Sequence, residues 1–323
     1  MQQILGGTLR ASDQFPLHQY LIDMTYPPSP SNSFAAAPPY SYEFITLRDL
    51  MLDCNYRGGG ISVVQSLRTS IDNCYIAHFS TNGIFVEGGH ETFIRDSFIG
   101  QHVTAGGDPG ERNFTGTGIV LAGNDNAITD TVIFSAATGV MISGAANTLQ
   151  LPGFTQTRIV NCYMDYTGIV AEDPAQLIIS NSFFLGDAFV LLKSISGNLS
   201  GVTIVDNMFS GSNSGVDIVQ LDQSKTPFQR ISQVVVERNN ARGMNLRTTI
   251  ASGTADGNGT SWSLDFGQQL LFPNRIRHVH YTLRTDDNLF PKHTLRNVEG
   301  NQITVEADIP VSATVFATVN QVA

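Results

Sequence analysis

The sequence predicts an all-β chain: a right-handed parallel β-helix over residues 1–247, then a small antiparallel β-rich domain over residues 248–323. Three observations carry this reading. A phrase close to [Thr/Asn]-Gly-[Ile/Val] recurs at Gly60-Ile61, Asn82-Gly83-Ile84, Thr117-Gly118-Ile119, Thr138-Gly139-Val140, Thr167-Gly168-Ile169 and Gly215-Val216, with a degenerate copy at Asp187-Ala188-Phe189. A second phrase, [Ile/Leu]-x-[Asp/Asn], precedes the copies at Leu47-Arg48-Asp49, Ile71-Asp72-Asn73, Ile94-Arg95-Asp96, Ile128-Thr129-Asp130, Ile159-Val160-Asn161, Ile179-Ser180-Asn181 and Ile204-Val205-Asp206. From about residue 248 both phrases stop, and alternating segments such as Trp262–Phe266 and Ile303–Glu306 take over.

A repeat of about 20–30 residues is the mark of a stacked solenoid. Both phrases are too short for helices and rich in Ile, Val, Phe and Thr, as strands are. They alternate apolar with polar side chains, the period of a half-buried strand. Gly or Asn follows nearly every run and ends it in a turn. Stacked parallel coils bring equivalent residues within about 4.8 Å, so an Asp or Asn at a tight turn can bond backbone of its own coil and of its neighbours. The Ile and Phe columns form the apolar interior of about seven or eight coils over residues 40–245. An antiparallel sandwich would have hairpin turns and no such column.

Taken along the chain, the first strand is expected around Gly7-Thr8-Leu9-Arg10. The start has neither the basic head nor the apolar core of a signal peptide, and no capping helix covers the first coil, so an upstream segment with cap and signal is expected. Residues 26–40 form a Pro-rich loop, and residues 100–116 the largest insertion between paired phrases. Between Gly144 and Thr155 the rhythm stumbles, and a coil is expected to be missing there.

Composition narrows the function classes. Lys193, Lys225 and Lys292 are the only lysines, charged residues make up 14%, Gly numbers 30, and net charge is −10. That acidity argues against nucleic acid as a partner, and no run reaches transmembrane length. Cys54, Cys74 and Cys162 are read as small buried side chains; Cys74 and Cys162 are too many coils apart to bridge. Sequons at Asn113, Asn198 and Asn258 are expected in loops.

The segments Leu52–Gly60, Gly88–Thr92, Gly106–Arg112 and Gly168–Pro174 resemble the plant pectin-lyase-fold polygalacturonases of the Quartet type, over nearly the whole chain. That resemblance implies a secreted or cell-wall enzyme that hydrolyses α-1,4-linked galacturonan. Family members begin well before the position of Met1 and carry a further coil between the equivalents of Gln150 and Leu151, so this chain is expected to be a shortened form. The family's catalytic phrases match only in part. Ser80-Thr81-Asn82-Gly83-Ile84 resembles Asn-Thr-Asp-Gly-Ile with Asn82 in place of its Asp. Gly186-Asp187-Ala188-Phe189 resembles Gly-Asp-Asp-Cys and keeps Asp187. Neither Gly-His-Gly nor Arg-x-Lys occurs.

The repeat itself supplies candidates. Asp165 and Asp187 each precede a Gly-Ile strand on successive coils, within about 5–10 Å. This range contains the roughly 6.5–9.5 Å between the two carboxyls of an inverting glycosidase. They are the expected acid–base pair, with Tyr166 placed to stack on a sugar ring. Their alternative role is to bond local backbone as turn formers. A rival cluster comes from the long insertion, with Asp108 and Glu111 as carboxylates, Arg112 and Arg57 as partners for a galacturonate carboxylate, and His102, His78 and Asp53 beside them. A third column, Glu87, His90, Asp125, Glu172, Asp173 and Lys193, reads as structural, and no second His lies at ligand spacing from His90. No cofactor is expected. The readings kept open are a pectin hydrolase, a calcium-dependent polysaccharide lyase with calcium at Glu172/Asp173, and an inactive carbohydrate-binding β-helix. In each the partner is an acidic polysaccharide.

Overall fold

The computed structural model describes residues 2–25, 40–102, 114–143, 156–286 and 289–322. Among these residues the chain winds through nine stacked coils. The first holds β1 (Gln2–Arg10) and β2 (Tyr20–Met24), and the second β3 (Tyr42–Asp53) and β4 (Gly59–Val64). The third holds β5 (Ser66–Asp72), β6 (Tyr75–Ala77) and the start of β7 (Asn82–Arg95). The rest of β7 opens the fourth, with β8 (Phe98–Gly100) and β9 (Thr117–Asn124). The fifth is β10 (Asn126–Thr129), β11 (Val132–Phe134) and β12 (Thr138–Ile142), and the sixth β13 (Thr157–Val160), β14 (Tyr163–Asp165) and β15 (Ile169–Glu172). The seventh is β16 (Ala175–Ser180), β17 (Phe183–Leu185) and β18 (Val190–Lys193), and the eighth β19 (Asn198–Val205), β20 (Met208–Ser210) and β21 (Val219–Asp222). The ninth is β22 (Arg230–Glu237) and β23 (Asn240–Arg242). Every pairing between coils is parallel, which makes the solenoid a parallel β-helix.

The two phrases are two of its three sheets. The anchor column Leu47, Ile71, Ile94, Ile128, Ile159, Ile179, Ile204 and Val236 is in register from coil to coil, and all of it is buried. The Gly-Ile column Ile61, Ile84, Ile119, Val140, Ile169 and Val190 is likewise buried and in register. Between them runs a sheet of short strands whose middle residues, from Leu52 and Ile76 to Phe184 and Phe209, point into the same core. Each coil alone has no core; stacking buries a continuous one.

The repeated glycine has a reason other than turn formation. A Cβ on Gly83 would come within 2.6 Å of the Gly118 carbonyl oxygen, one on Gly118 within 2.6 Å of the Gly139 oxygen, and one on Gly168 within 2.3 Å of the Phe189 oxygen. Coils approach too closely here for any side chain. The copy at Gly215-Val216 is out of register. Val219 is the residue that pairs with Val190, and Gly215 lies in a left-handed turn (φ +82°) with open space around it.

Asp49, Asn73, Asp96, Asp130, Asn161, Asn181 and Asp206 all sit at φ between 49° and 58°, the left-handed region that Asn and Asp tolerate best. Where partners are seen they are side chains rather than backbone: Asn73 Nδ2 donates to Asp49 Oδ1 (2.7 Å), Asn161 to Asp130, Asn181 to Ser180 Oγ, and Asp206 accepts from Arg238. Backbone bonding falls to the buried residue that follows. The N–H of Cys74 donates to Ser97 Oγ, that of Cys162 to Ser182 Oγ, and that of Ser182 to Asn207 Oδ1. Cys74 and Cys162 stand in this column as free buried thiols, each turned to backbone carbonyls; Cys54 is also free and buried. The missing coil expected near residue 150 lies outside the described residues. On either side of it β10 pairs β13, β11 pairs β14 and β12 pairs β15 directly.

The last strands form a separate antiparallel sheet, β24 (Ile250–Asp265), β25 (His278–Thr285), β26 (His293–Glu299) and β27 (Gln302–Asn320), with β27 pairing all three others. It has its own buried cluster around Trp262, Leu264, Val305 and Val315. Leu271 and Phe272, from the link between β24 and β25, pack instead into the solenoid core. Asn198 opens β19 and Asn258 lies within β24, so these sequons are exposed on strands rather than loops; Asn113 lies outside the described residues. Among the described residues no helix is long and apolar enough to cross a membrane.

Candidate functional site

The short strands carry the candidate side chains. Each has three residues in coils three to nine; the middle one faces the core, so the first and third face outward. The third positions form one column in register: Asp53, Ala77, Gly100, Phe134, Asp165, Leu185, Ser210 and Arg242. A left-handed turn residue follows on most coils, among them Tyr56, His78, Ser135, Tyr166 and Asp187. Two groups of titratable side chains therefore share one edge of the solenoid.

The first is Asp165 with Asp187. Asp165 ends β14, with Phe134 and Leu185 flanking it in register, and is 5% exposed. Its Oδ1 is buried with no hydrogen-bond partner among the described residues. Burial pushes its carboxyl above the usual range, because the ion loses water and gains no donor in return. Asp187 is treated oppositely. Burial alone would push its carboxyl up. Ser212 outweighs this through its hydroxyl (2.6 Å to Oδ2) and its N–H (2.9 Å to Oδ1), with help from Ser214, so the carboxyl lies below the usual range. Gly211 makes room: a Cβ there would lie 2.1 Å from Asp187 Oδ1.

The two aspartates are neighbours at one turn but not register equivalents. Leu185 is the partner of Asp165, and Gly186 is an extra residue before Asp187. Gly186 (φ +73°) also lets the Tyr166 ring lie against the turn, since a Cβ would come within 2.5 Å of that ring. Tyr166 and Asp187, with Thr138, Thr167, Gly168 and Phe189, line a cleft of about 160 Å³.

The second group lies toward the start of the stack. Asp53 accepts bonds from Arg10 Nη1 (2.5 Å), His78 Nδ1 (2.8 Å) and the Asn55 N–H (3.0 Å). Burial pushes its carboxyl up, and these donors with the charges of His78 and Arg10 outweigh it, leaving it below the usual range. The Tyr56 ring packs on His78 (4.8 Å between centroids), and its hydroxyl meets His102 Nδ1 at 3.1 Å. Arg57, expected beside them, donates Nε to the Phe15 carbonyl. Asp108, Glu111 and Arg112 lie outside the described residues.

The third column is engaged in local pairs. Glu172 pairs with Lys193 (3.2 Å), Asp173 accepts the N–H groups of Ile195 and Ser196, and His90 meets Asp125 at 2.9 Å. Among the described residues no three His, Cys, Asp or Glu side chains gather as metal ligands would, at Glu172/Asp173 or elsewhere.

Sequence reasoning missed Arg10, Ser212 and Arg242. Arg242 is exposed, stands on the Asp165 column two coils beyond Leu185, and forms no ion pair among the described residues. Its only signal was its place as third residue of a short strand.

No family model matches the chain. It is 59% identical over 339 residues to Polygalacturonase QRT3 of Arabidopsis thaliana, an alignment that covers 98% of this chain and 69% of the relative. The chain belongs to that polygalacturonase family. Among solved structures it is similar to the tailspike protein gp49 of Pseudomonas phage LKA1 (12% identity, 99% of this chain and 66% of that one, TM-score 0.37). It is also similar to pectate lyase Pel9A (12% identity, 75% and 70%, TM-score 0.37).

Proposed function

We propose that this chain is a glycoside hydrolase that cleaves α-1,4-galacturonan, with Asp165 as general acid and Asp187 as general base. The observation that carries the assignment is the opposed electrostatics of two aspartates at one turn. Two carboxyls whose surroundings drive their proton affinities apart are suited to divide acid from base work. Buried, and with no donor to Oδ1 among the described residues, the Asp165 carboxyl binds its proton more tightly than a free one and is the one suited to deliver it to the leaving glycosidic oxygen. Asp187, held ionised by Ser212 and Ser214, takes a proton from the attacking water. One coil spacing plus the offset at Gly186 separates them by about 5–10 Å. That leaves room for a water and sets up attack with inversion, for which roughly 6.5–9.5 Å is needed.

Tyr166 stacks on a sugar ring in the cleft beside Asp187. Arg242 takes a uronate carboxylate, since a guanidinium without an acidic partner can bind one bidentately. The family supports an acidic polysaccharide substrate and a secreted, cell-wall setting. The test is a reducing-end assay on polygalacturonate with the anomer of the first product read by NMR. Inverted product from the wild type, lost in both Asp165→Asn and Asp187→Asn, supports the assignment. Unsaturated product absorbing in the ultraviolet would replace hydrolysis with elimination. Full activity in both variants would move the acid–base work to Asp108 and Glu111.

A further inference from the structure

The acid–base reading leaves the Asp53 group unused, although it is the densest cluster of titratable side chains among the described residues of this edge. We infer that Arg10, Tyr56 and His78 form a distal subsite that holds one uronate residue of the same polymer, well away from the bond being cut. This inference rests on the galacturonan reading of the site.

Each feature of a uronate meets a side chain there. Arg10 spends Nη1 on Asp53 and Nη2 on Asn55 Oδ1 (3.0 Å), which fixes the guanidinium while its side chain stays 64% exposed. Its remaining N–H donors meet no acceptor among the described residues and can take a carboxylate. Tyr56 is 46% exposed, and its ring packs against His78 (4.8 Å between centroids) while its hydroxyl meets His102 Nδ1 at 3.1 Å. A half-exposed aromatic held by two neighbours offers a fixed surface for the C–H side of a sugar ring at little entropic cost. His78 bonds Asp53 through Nδ1. An ionised carboxylate only accepts, so Nδ1 carries the proton and Nε2 is left for a sugar hydroxyl. Asp53 is thus a positioning residue that holds both the cation and the imidazole.

Position supports the same reading. From Asp53 to Asp165 the column takes four register steps, through Ala77, Gly100 and Phe134. At the usual strand spacing these span about 19 Å. A coil spacing is close to the length that one pyranose adds to a glycan. A chain lying along the stack would therefore place about four rings between the distal subsite and the cleavage point. Long oligomers would reach both places, and short ones only one.

The test is isothermal titration of the full chain carrying Asp165→Asn, which stops turnover, with galacturonan trimer and octamer. Adding Arg10→Gln and His78→Gln to that background should weaken octamer binding about 10-fold or more and leave trimer binding within about twofold. Circular dichroism checks that the variant is folded. Should it not fold, Tyr56→Ala in the same background removes a half-exposed ring, leaves Asp53 and its donors in place, and should weaken octamer binding several-fold. Equal losses for trimer and octamer, no loss for octamer, or no octamer binding to begin with would each overturn the subsite. A wild type that fails to cleave, beside an Asp165→Asn protein whose octamer binding still depends on Arg10 and His78, would overturn the acid–base assignment and leave the subsite standing.

Discussion

Asp53 and Asp165 occupy the same place in their coils, four coils apart, and their surroundings treat them oppositely. Asp53 receives a guanidinium, an imidazole and a backbone N–H. Asp165 receives none on Oδ1 and is flanked in register by Phe134 and Leu185. A solenoid repeats its backbone faithfully, so position alone cannot assign a role. The neighbours around each carboxyl decide which is pushed below the usual range and which above it.

The largest expected effect lies on the reaction. Asp165→Asn and Asp187→Asn should each lower kcat on polygalacturonate by about 10²–10⁴-fold, the usual worth of a positioned acid or base. Stopped reducing-end assays on folded protein check this. Loss in one variant only would break the pairing.

Stability should separate the two aspartates next. Asp53 is held low, so its contribution is present above the unfolded carboxyl range, near pH 3.9, and is lost as pH falls through its folded value. Asp53→Asn should therefore cost about 2 kcal/mol at neutral pH, a cost that shrinks toward low pH. Asp165 is raised, so its contribution is present below that range and is lost as pH rises through its folded value. Asp165→Asn should match the wild type in acid and gain on it toward neutral pH. Thermal melts of both variants across pH measure the divergence, and parallel curves would erase the contrast.

Smaller effects sharpen it further. Tyr166→Ala should raise KM by about 2–10-fold through loss of a stacking ring, visible in initial rates. Ser212→Ala removes the strongest donor to Asp187. It should move the acid limb of the pH–rate profile to higher pH and leave the alkaline limb, set by Asp165, in place.

Most of the fold was legible because both phrases recur with a fixed offset and each Ile column had to face one core. That Asp165 and Asp187 stand at the same turn of successive coils was legible for the same reason, since the repeat fixes which residues share a turn. Its limits are local. Gly215-Val216 has the phrase without the register, and Leu185 takes the place of Asp165 in its coil, so Asp187 stands two residues past it. The repeated glycine looked like a turn signal, and its cause, a neighbouring carbonyl at 2.3–2.6 Å from any Cβ at Gly83, Gly118 or Gly168, exists only once coils are stacked. Arg10, Ser212 and Arg242 carry no motif. Arg10 and Ser212 matter through contacts between coils and Arg242 through its place on the column, neither of which one line of sequence displays. The electrostatic contrast was invisible for the same reason, since Asp53 and Asp165 differ chiefly in what adjoining coils bring to them, Arg10 and His78 in one case and Phe134 and Leu185 in the other.

The most direct test is carbon-13 NMR titration of the aspartate carboxyl carbons, with Asp53→Asn and Asp165→Asn used to assign the two resonances. The account predicts that Asp165 titrates above the ordinary range near 3.9 and Asp53 below it, with the alkaline limb of the pH–rate profile following Asp165. An Asp165 that titrates at or below Asp53 would contradict it.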